Sequence, residues 1–272
     1  MKRLMNLYPD VYTRAILGAL PFILIIILYI ISSQARLAEN SRDKLLPSFN
    51  SMASTINTMA VYPSKRTGEY TFWNDTSSSL KRLGMGIGVA ALIGLIFGIL
   101  NGIIPLARAN LSPIITIISL IPPLAVLPVL FIVFGLGELS KVVLIAIGIT
   151  PFIIRDLQAK VLELPKEQLI KAQTLGASTW LVIVRVVLPQ ILPRLIEAVR
   201  LSLGAAWLFL IAAEAIASTD GLGYRIFLVR RYLSMDVILP YVAWITLLAF
   251  MTDYCLRIIS IKAFPWFHAT DK

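Results

Sequence analysis

Six stretches of the chain are long and apolar, and polar segments separate them. They cover residues 15–31, 84–104, 114–134, 139–154, 195–217 and 237–259. A helix needs about 20 mostly apolar residues to cross a bilayer, where lipid offers nothing to its backbone N–H and C=O groups. The pattern predicts an all-α integral membrane protein with about six transmembrane helices. The fourth stretch is short and can extend at either end. An even number of crossings leaves both termini on one side. The resulting organisation is an N-terminal segment with the first span (1–33), a polar connection (34–83), a core (84–261) with a loop at 157–194, and a tail (262–272).

One polar stretch has its own pattern. Residues 166–189 read KEQLIKAQTLGASTWLVIVRVVLP. Pro165 suits the first turn of a helix, where its missing N–H costs nothing. Leu169, Ala172 and Leu175 recur at helical spacing, with Lys171, Gln173 and Thr174 on other faces. Gly176 is a natural stop, because glycine tolerates the left-handed conformation. Ser178 or Thr179 can cap a second helix. That helix is predicted to run through Leu188 until Pro189 breaks it. The segment is too polar for lipid.

Two further patterns lie within and between the spans. The 34–83 connection is rich in Ser, Thr and Asn and has no strong period, so it is read as an extracytoplasmic connection without a regular element. Its aromatic residues Tyr62, Tyr70, Phe72 and Trp73 suit the membrane interface or contact with a soluble partner. Span two carries Gly84, Gly86, Gly88, Gly94, Gly98 and Gly102, spacing that lets two helices approach closely. Span three carries Pro122, Pro123 and Pro128, which remove backbone donors and break the regular ladder. Such a break is tolerated in lipid only against protein or a water-filled cavity.

Composition supports the membrane reading and narrows the chemistry. The 272 residues are 58% hydrophobic and carry a formal net charge of +10. Mean hydropathy is +0.82, and ordinary soluble domains are about 45–50% apolar. The basic residues flank apolar spans, so orientation and anionic lipid account for them without nucleic acid. With both termini inside, 14 of the 25 Lys and Arg are cytoplasmic, among them Lys2, Arg3 and Lys272. That bias places residues 157–194 in the cytoplasm. The run at 15–31 is longer than a signal-peptide core and is read as an uncleaved span.

Catalytic chemistry finds little support. Cys255 is the single cysteine and His268 the single histidine, so no disulfide, metal cluster or Cys-His set can be assembled. No Gly-x-x-x-x-Gly-Lys-Ser/Thr segment occurs, so the chain is not expected to hydrolyse ATP. Glu214 lies within a span and is expected either to serve a gate or to bond a neighbouring helix. Asp253 is expected to pair with Arg257, four residues on. Arg225, Arg230 and Arg231 form a basic cluster between the last two spans.

The 166–189 segment resembles the EAA loop of ABC-transporter permeases that work with a soluble binding protein. Aligned on Gly176, Ala172 takes the third position of that motif, Val186 the later Ile position, and Leu188-Pro189 complete it. Ile170 and Lys171 stand where the family has Glu-Ala. Pro122-Pro123-Leu124-Ala125, Pro128 and Phe134-Gly135-Leu136-Gly137-Glu138 resemble the nitrate, sulfonate, taurine and bicarbonate branch. Leu46-Pro47-Ser48, Ser79-Leu80 with Arg82, and Glu214 with Gly221-Leu222-Gly223-Tyr224 fit the same branch.

The resemblance implies a type I ABC importer permease-like bundle with a cytoplasmic coupling helix, a non-catalytic subunit of the bacterial inner membrane. Implied partners are a second permease copy, two ATP-binding cassette subunits, a periplasmic or lipid-anchored binding protein, and membrane lipid. ATP and Mg would sit on the ATPase partner, and this chain would bind no cofactor. Coupling would fall to Ala172, Leu175, Gly176, Ala177, Val186, Leu188 and Pro189. Pro122, Pro123, Pro128 and Glu214 are the pathway or gate candidates. The implied cargo is a small anion or zwitterion. A secondary transporter or channel is the alternative, with Glu214 and Asp253 as its only mid-span carboxylate candidates.

Overall fold

The computed structural model describes residues 10–40, 43–64 and 68–269. Lys2, Arg3 and Lys272 of the charge tally lie outside them. Among the described residues all regular structure is helical: α1 (Val11–Glu39), α2 (Phe49–Val61), α3 (Thr71–Ile103), α4 (Pro105–Leu120), α5 (Pro123–Phe134), α6 (Glu138–Leu162), α7 (Lys166–Thr174), α8 (Thr179–Val182), α9 (Leu188–Ile216), α10 (Leu222–Arg230) and α11 (Met235–Ala263). A π-helical turn (Ile183–Val187) joins α8 to α9. Five of the resulting helices are long and apolar enough to cross a bilayer, and α4 with α5 makes a sixth candidate bent by 95°.

The glycines of α3 set the core. A Cβ on Gly86, Gly94, Gly98 or Gly102 would lie 2.7, 2.4, 2.7 and 2.3 Å from Ile145, Ile153, Leu157 and Val161. All four partners sit on α6 at a constant offset of 59 in number, so α3 and α6 run parallel and in register. Two parallel neighbours require the intervening α4 and α5 to carry the chain back. Gly84 and Gly88 have open space instead, so only part of the glycine pattern is packing. Gly148 of α6 likewise admits Phe209 of α9. Gly94→Ala should therefore destabilise by about 1–3 kcal/mol through overpacking, while Gly88→Ala should be neutral. Thermal unfolding of the two purified variants checks this, and equal midpoints would remove the glycine stripe from the packing argument.

Three expectations need correction. First, the 34–83 connection is not a loop throughout. α2 lies within it, capped by Ser48 accepting from the Ser51 N–H, and Thr55 Oγ1 donates to Asp236 of α11 at 2.9 Å. The second span starts at Thr71, because its polar first turns are satisfied by other helices rather than by water. Second, the helix entering the fifth span does not break at Pro189. Pro189 cannot donate and its ring crowds the carbonyl four residues back, and the wider π turn immediately before it absorbs the conflict. The helical run then continues over Thr179–Ile216. Third, Asp253 pairs with Arg200 of α9, in a bidentate bond at 2.8 and 2.9 Å, not with Arg257.

Candidate functional site: an ion network, a bracket and a corner cavity

At one end of the bundle, charged residues from four elements converge. Arg82 of α3 is 1% exposed. Its guanidinium donates to Glu138 of α6, to Glu214 of α9 at 2.7 Å, and to both the carboxylate and the backbone carbonyl of Asp220. Lys141, one turn along α6, donates to Glu138 at 2.9 Å and to Ser218. Glu214 is fully buried and accepts also from Ser79 Oγ at 2.8 Å and from the Gly223 N–H at 2.8 Å. A second limb holds Asp75 of α3, which accepts from Arg225 at 2.7 Å, Tyr241 at 3.1 Å and the Gly221 N–H at 3.0 Å. Desolvation would raise Asp220, but hydrogen bonds from Arg82 and Ser78 outweigh it and hold the carboxyl below its ordinary value.

The turn at 217–223 must pass close to these groups. A Cβ on Gly221 would lie 2.5 Å from the Glu214 carboxyl and 2.7 Å from Arg82, and its φ of +113° is glycine territory. A Cβ on Gly223 would meet the Ile211 carbonyl at 2.7 Å. The Gly-Leu-Gly sequence thus exists so that backbone N–H groups can reach Asp75, Ser79 and Glu214. Every polar arm of Glu214 is engaged by protein, so it bonds neighbouring helices rather than standing free. Glu214 and Asp253, the two carboxylates a secondary transporter would draw on, are both held by guanidinium groups.

The opposite end carries the bracket. α7 closes in a Schellman motif: the Gly176 N–H donates to Gln173 O at 2.9 Å and the Ala177 N–H to Ala172 O at 3.0 Å. Gly176 sits at φ +84° with nothing within 4 Å of a would-be Cβ. Ser178 caps α8 by accepting from the Leu181 N–H. Leu169, Ala172, Ala177, Val186 and Leu188 are half-buried against the core. Gln190 reaches Gln168 at 3.2 Å and ties α9 to α7. The outward face presents Ile170, Leu175 at 80% and Trp180 at 72% exposure, with Leu181. Pro189 is also exposed. Of the named coupling residues, then, Leu175, Gly176 and Pro189 face outward, while Ala172, Ala177, Val186 and Leu188 pack inward. Ile170, Trp180 and Leu181 share that outward face without having been named from the sequence, although apolar residues opposite a helix's core face are the available signal.

Between the two ends, the corner of α4 and α5 borders a half-open cavity of about 710 Å³ against α6 and α9. Pro123 lines it, and Ser119, Arg155 and Asp156 supply its polar side chains. Pro122 and Pro128 are exposed and lie outside the lining, as does Glu214.

Parallel spanning helices, a buried ion network and a protruding bracket define the class as a multi-pass helical membrane protein with a permease-type bundle. Residues 88–262 match the family described as binding-protein-dependent transport system inner membrane component, and the chain belongs to that family. It is 37% identical over 196 residues to the taurine transport system permease protein of Escherichia coli (strain K12), covering 72% of this chain and 71% of that one. A Bacillus subtilis (strain 168) permease assigned to aliphatic sulfonates is 32% identical over 195 residues, covering 69% and 68%. The fold matches a chain of the MetNI methionine ABC transporter in an inward-facing form with TM-score 0.58 and 22% identity, covering 72% of this chain and 99% of that one.

Proposed function

We propose that the chain is the pathway-forming subunit of an ATP-driven importer for a small anion or zwitterion of the taurine, sulfonate, nitrate or bicarbonate class. Two copies would form the pathway, each engaging one ATP-hydrolysing subunit, and a soluble binding protein would deliver the cargo. The observation that carries this reading is the bracket. A glycine-hinged helix pair between two spanning helices leaves Leu175 and Trp180 uncovered outside the apolar spans, and exposed apolar patches of that kind mark docking surfaces. ATP-driven closure of the partners would move the brackets together and shift the helix bundles as rigid bodies.

The reading requires the bracket in the cytoplasm and α2 outside. Single cysteines at Ser51 and Leu175 in a Cys255→Ser background test it. A membrane-impermeant maleimide on intact cells should label position 51 and spare 175 until the membrane is permeabilised. Labelling in the reverse pattern would place the bracket beyond reach of any cytoplasmic ATPase and end the proposal.

A further inference from the structure

Among the described residues Arg155 is the one basic side chain lining the corner cavity. It is exposed, and the bond that the described residues give its guanidinium is to Ser119 Oγ at 3.2 Å. The Ser119 hydroxyl donates to the Thr116 carbonyl at 2.7 Å, so it serves Arg155 as an acceptor only. The remaining guanidinium N–H groups are therefore free to face the cavity.

Its direction makes this unusual. Arg155 is seven positions from the bracket end of α6 at Leu162, or about 10 Å along the axis. An arginine near the end of a spanning helix ordinarily extends its head toward the nearer end. Here it does the reverse. α4 runs antiparallel to α6, with Ser112 bonded to Gln158 and Ile118 beside Ile147 and Pro151. Ser119 thus lies on the far side of Arg155 from the bracket end, and the side chain points away from that end, into the corner cavity. A cation turned inward from the end of an apolar span, with donors left unpaired, needs water or an anionic partner in that space. Asp156 lines the same cavity, so the local charge is near balance. A monoanion or zwitterion is favoured there over a multivalent anion.

We infer that Arg155, positioned by Ser119, receives the oxyanion head of the cargo as a sulfonate- or carboxylate-type group crosses the corner cavity. The planar guanidinium offers paired N–H donors to two oxygens of such a head. This site rests on the anion-import reading above, and its test is separable from it.

The test places one cysteine at Phe152, a cavity-lining residue one turn from Arg155, in a Cys255→Ser background of the assembled transporter. The readout is the ratio of modification rates by the sulfonate-bearing reagent 2-sulfonatoethyl methanethiosulfonate and its trimethylammonium counterpart. Arg155→Gln should lower the anion-to-cation ratio by about tenfold or more, since a single charge at close range is worth over 1.4 kcal/mol in a partly desolvated site. Arg155→Lys should keep most of the ratio, and Ser119→Ala should lower it less than Arg155→Gln. An unchanged ratio in Arg155→Gln, or a cysteine that neither reagent reaches, overturns the site. Uptake of labelled taurine and methanesulfonate into proteoliposomes is measured in parallel. If the parent carries neither probe while the ratio still falls in Arg155→Gln, the site stands and the cargo class is wrong.

Discussion

Arg82→Met is expected to remove most of the folded protein from the membrane. The guanidinium is the shared partner of Glu138, Glu214 and Asp220. Glu138 is well exposed and Asp220 partly so, and both can turn to water. Glu214 cannot, because it is fully buried in a spanning helix. Removing one partner of a buried pair leaves an uncompensated charge, at about 3–5 kcal/mol, a large share of a typical protein's stability. Replacing both partners is milder, because an apolar pair of similar shape carries no stranded charge. The double variant Arg82→Met with Glu214→Leu should accordingly recover part of the loss. Membrane abundance and thermal unfolding in detergent read the effect. A single variant as abundant and as stable as the parent would show that the network does not hold this end together.

Gly176→Val is expected to abolish coupled uptake while leaving abundance near the parent's. The position requires φ +84°, and nothing crowds a Cβ there, so the conflict lies in the backbone alone. A β-branched residue resists that conformation by about 1–2 kcal/mol, enough to rotate α8 and swing Trp180 away from its present direction. Both flanking spans are untouched. Asparagine visits the left-handed region more readily, so Gly176→Asn should retain much of the activity. Lys171→Ala should be mild. The measurements are uptake and ATP hydrolysis by the reconstituted complex, normalised to assembled protein. Full uptake by Gly176→Val together with loss in Lys171→Ala would shift the hinge away from the glycine.

The spans were legible because lipid leaves a single solution to the backbone's hydrogen bonding, and a long apolar run is its direct signature. The bracket was legible for a similar reason: Gly176 and Ser178 carry local stop and start chemistry that needs no tertiary partner. The ion network was not. Some of its residues were visible as pieces of motifs, Ser79 and Arg82, Glu138, Glu214, Gly221 and Gly223, while Asp75, Lys141 and Asp220 carried no such signal. Their meeting depends on pairings such as Arg82 with Glu214, 132 residues apart, which no periodicity encodes. The same blindness hid the first turns of α3. Asp75, Ser78, Ser79 and Arg82 make that stretch read as loop, because internal satisfaction of polar groups looks, in sequence, like exposure to water. Asp253 shows the complementary error. The spacing rule favoured Arg257 on the same helix, but Arg200 arrives from α9 with bidentate geometry.

The register of α3 against α6 has a mechanical consequence. Two helices keyed together over four successive glycine contacts cannot slide or splay without collisions, so they behave as a single stiff strut. That strut reaches from the bracket end, where Gly102 meets Val161, toward the end held by Arg82. Compliance must then reside elsewhere. At the corner between α4 and α5, two adjacent residues, Pro122 and Pro123, have no N–H to donate, so opening or closing the angle there breaks no ladder bond at either of them. The fold therefore combines a rigid rod with one soft elbow beside the cavity.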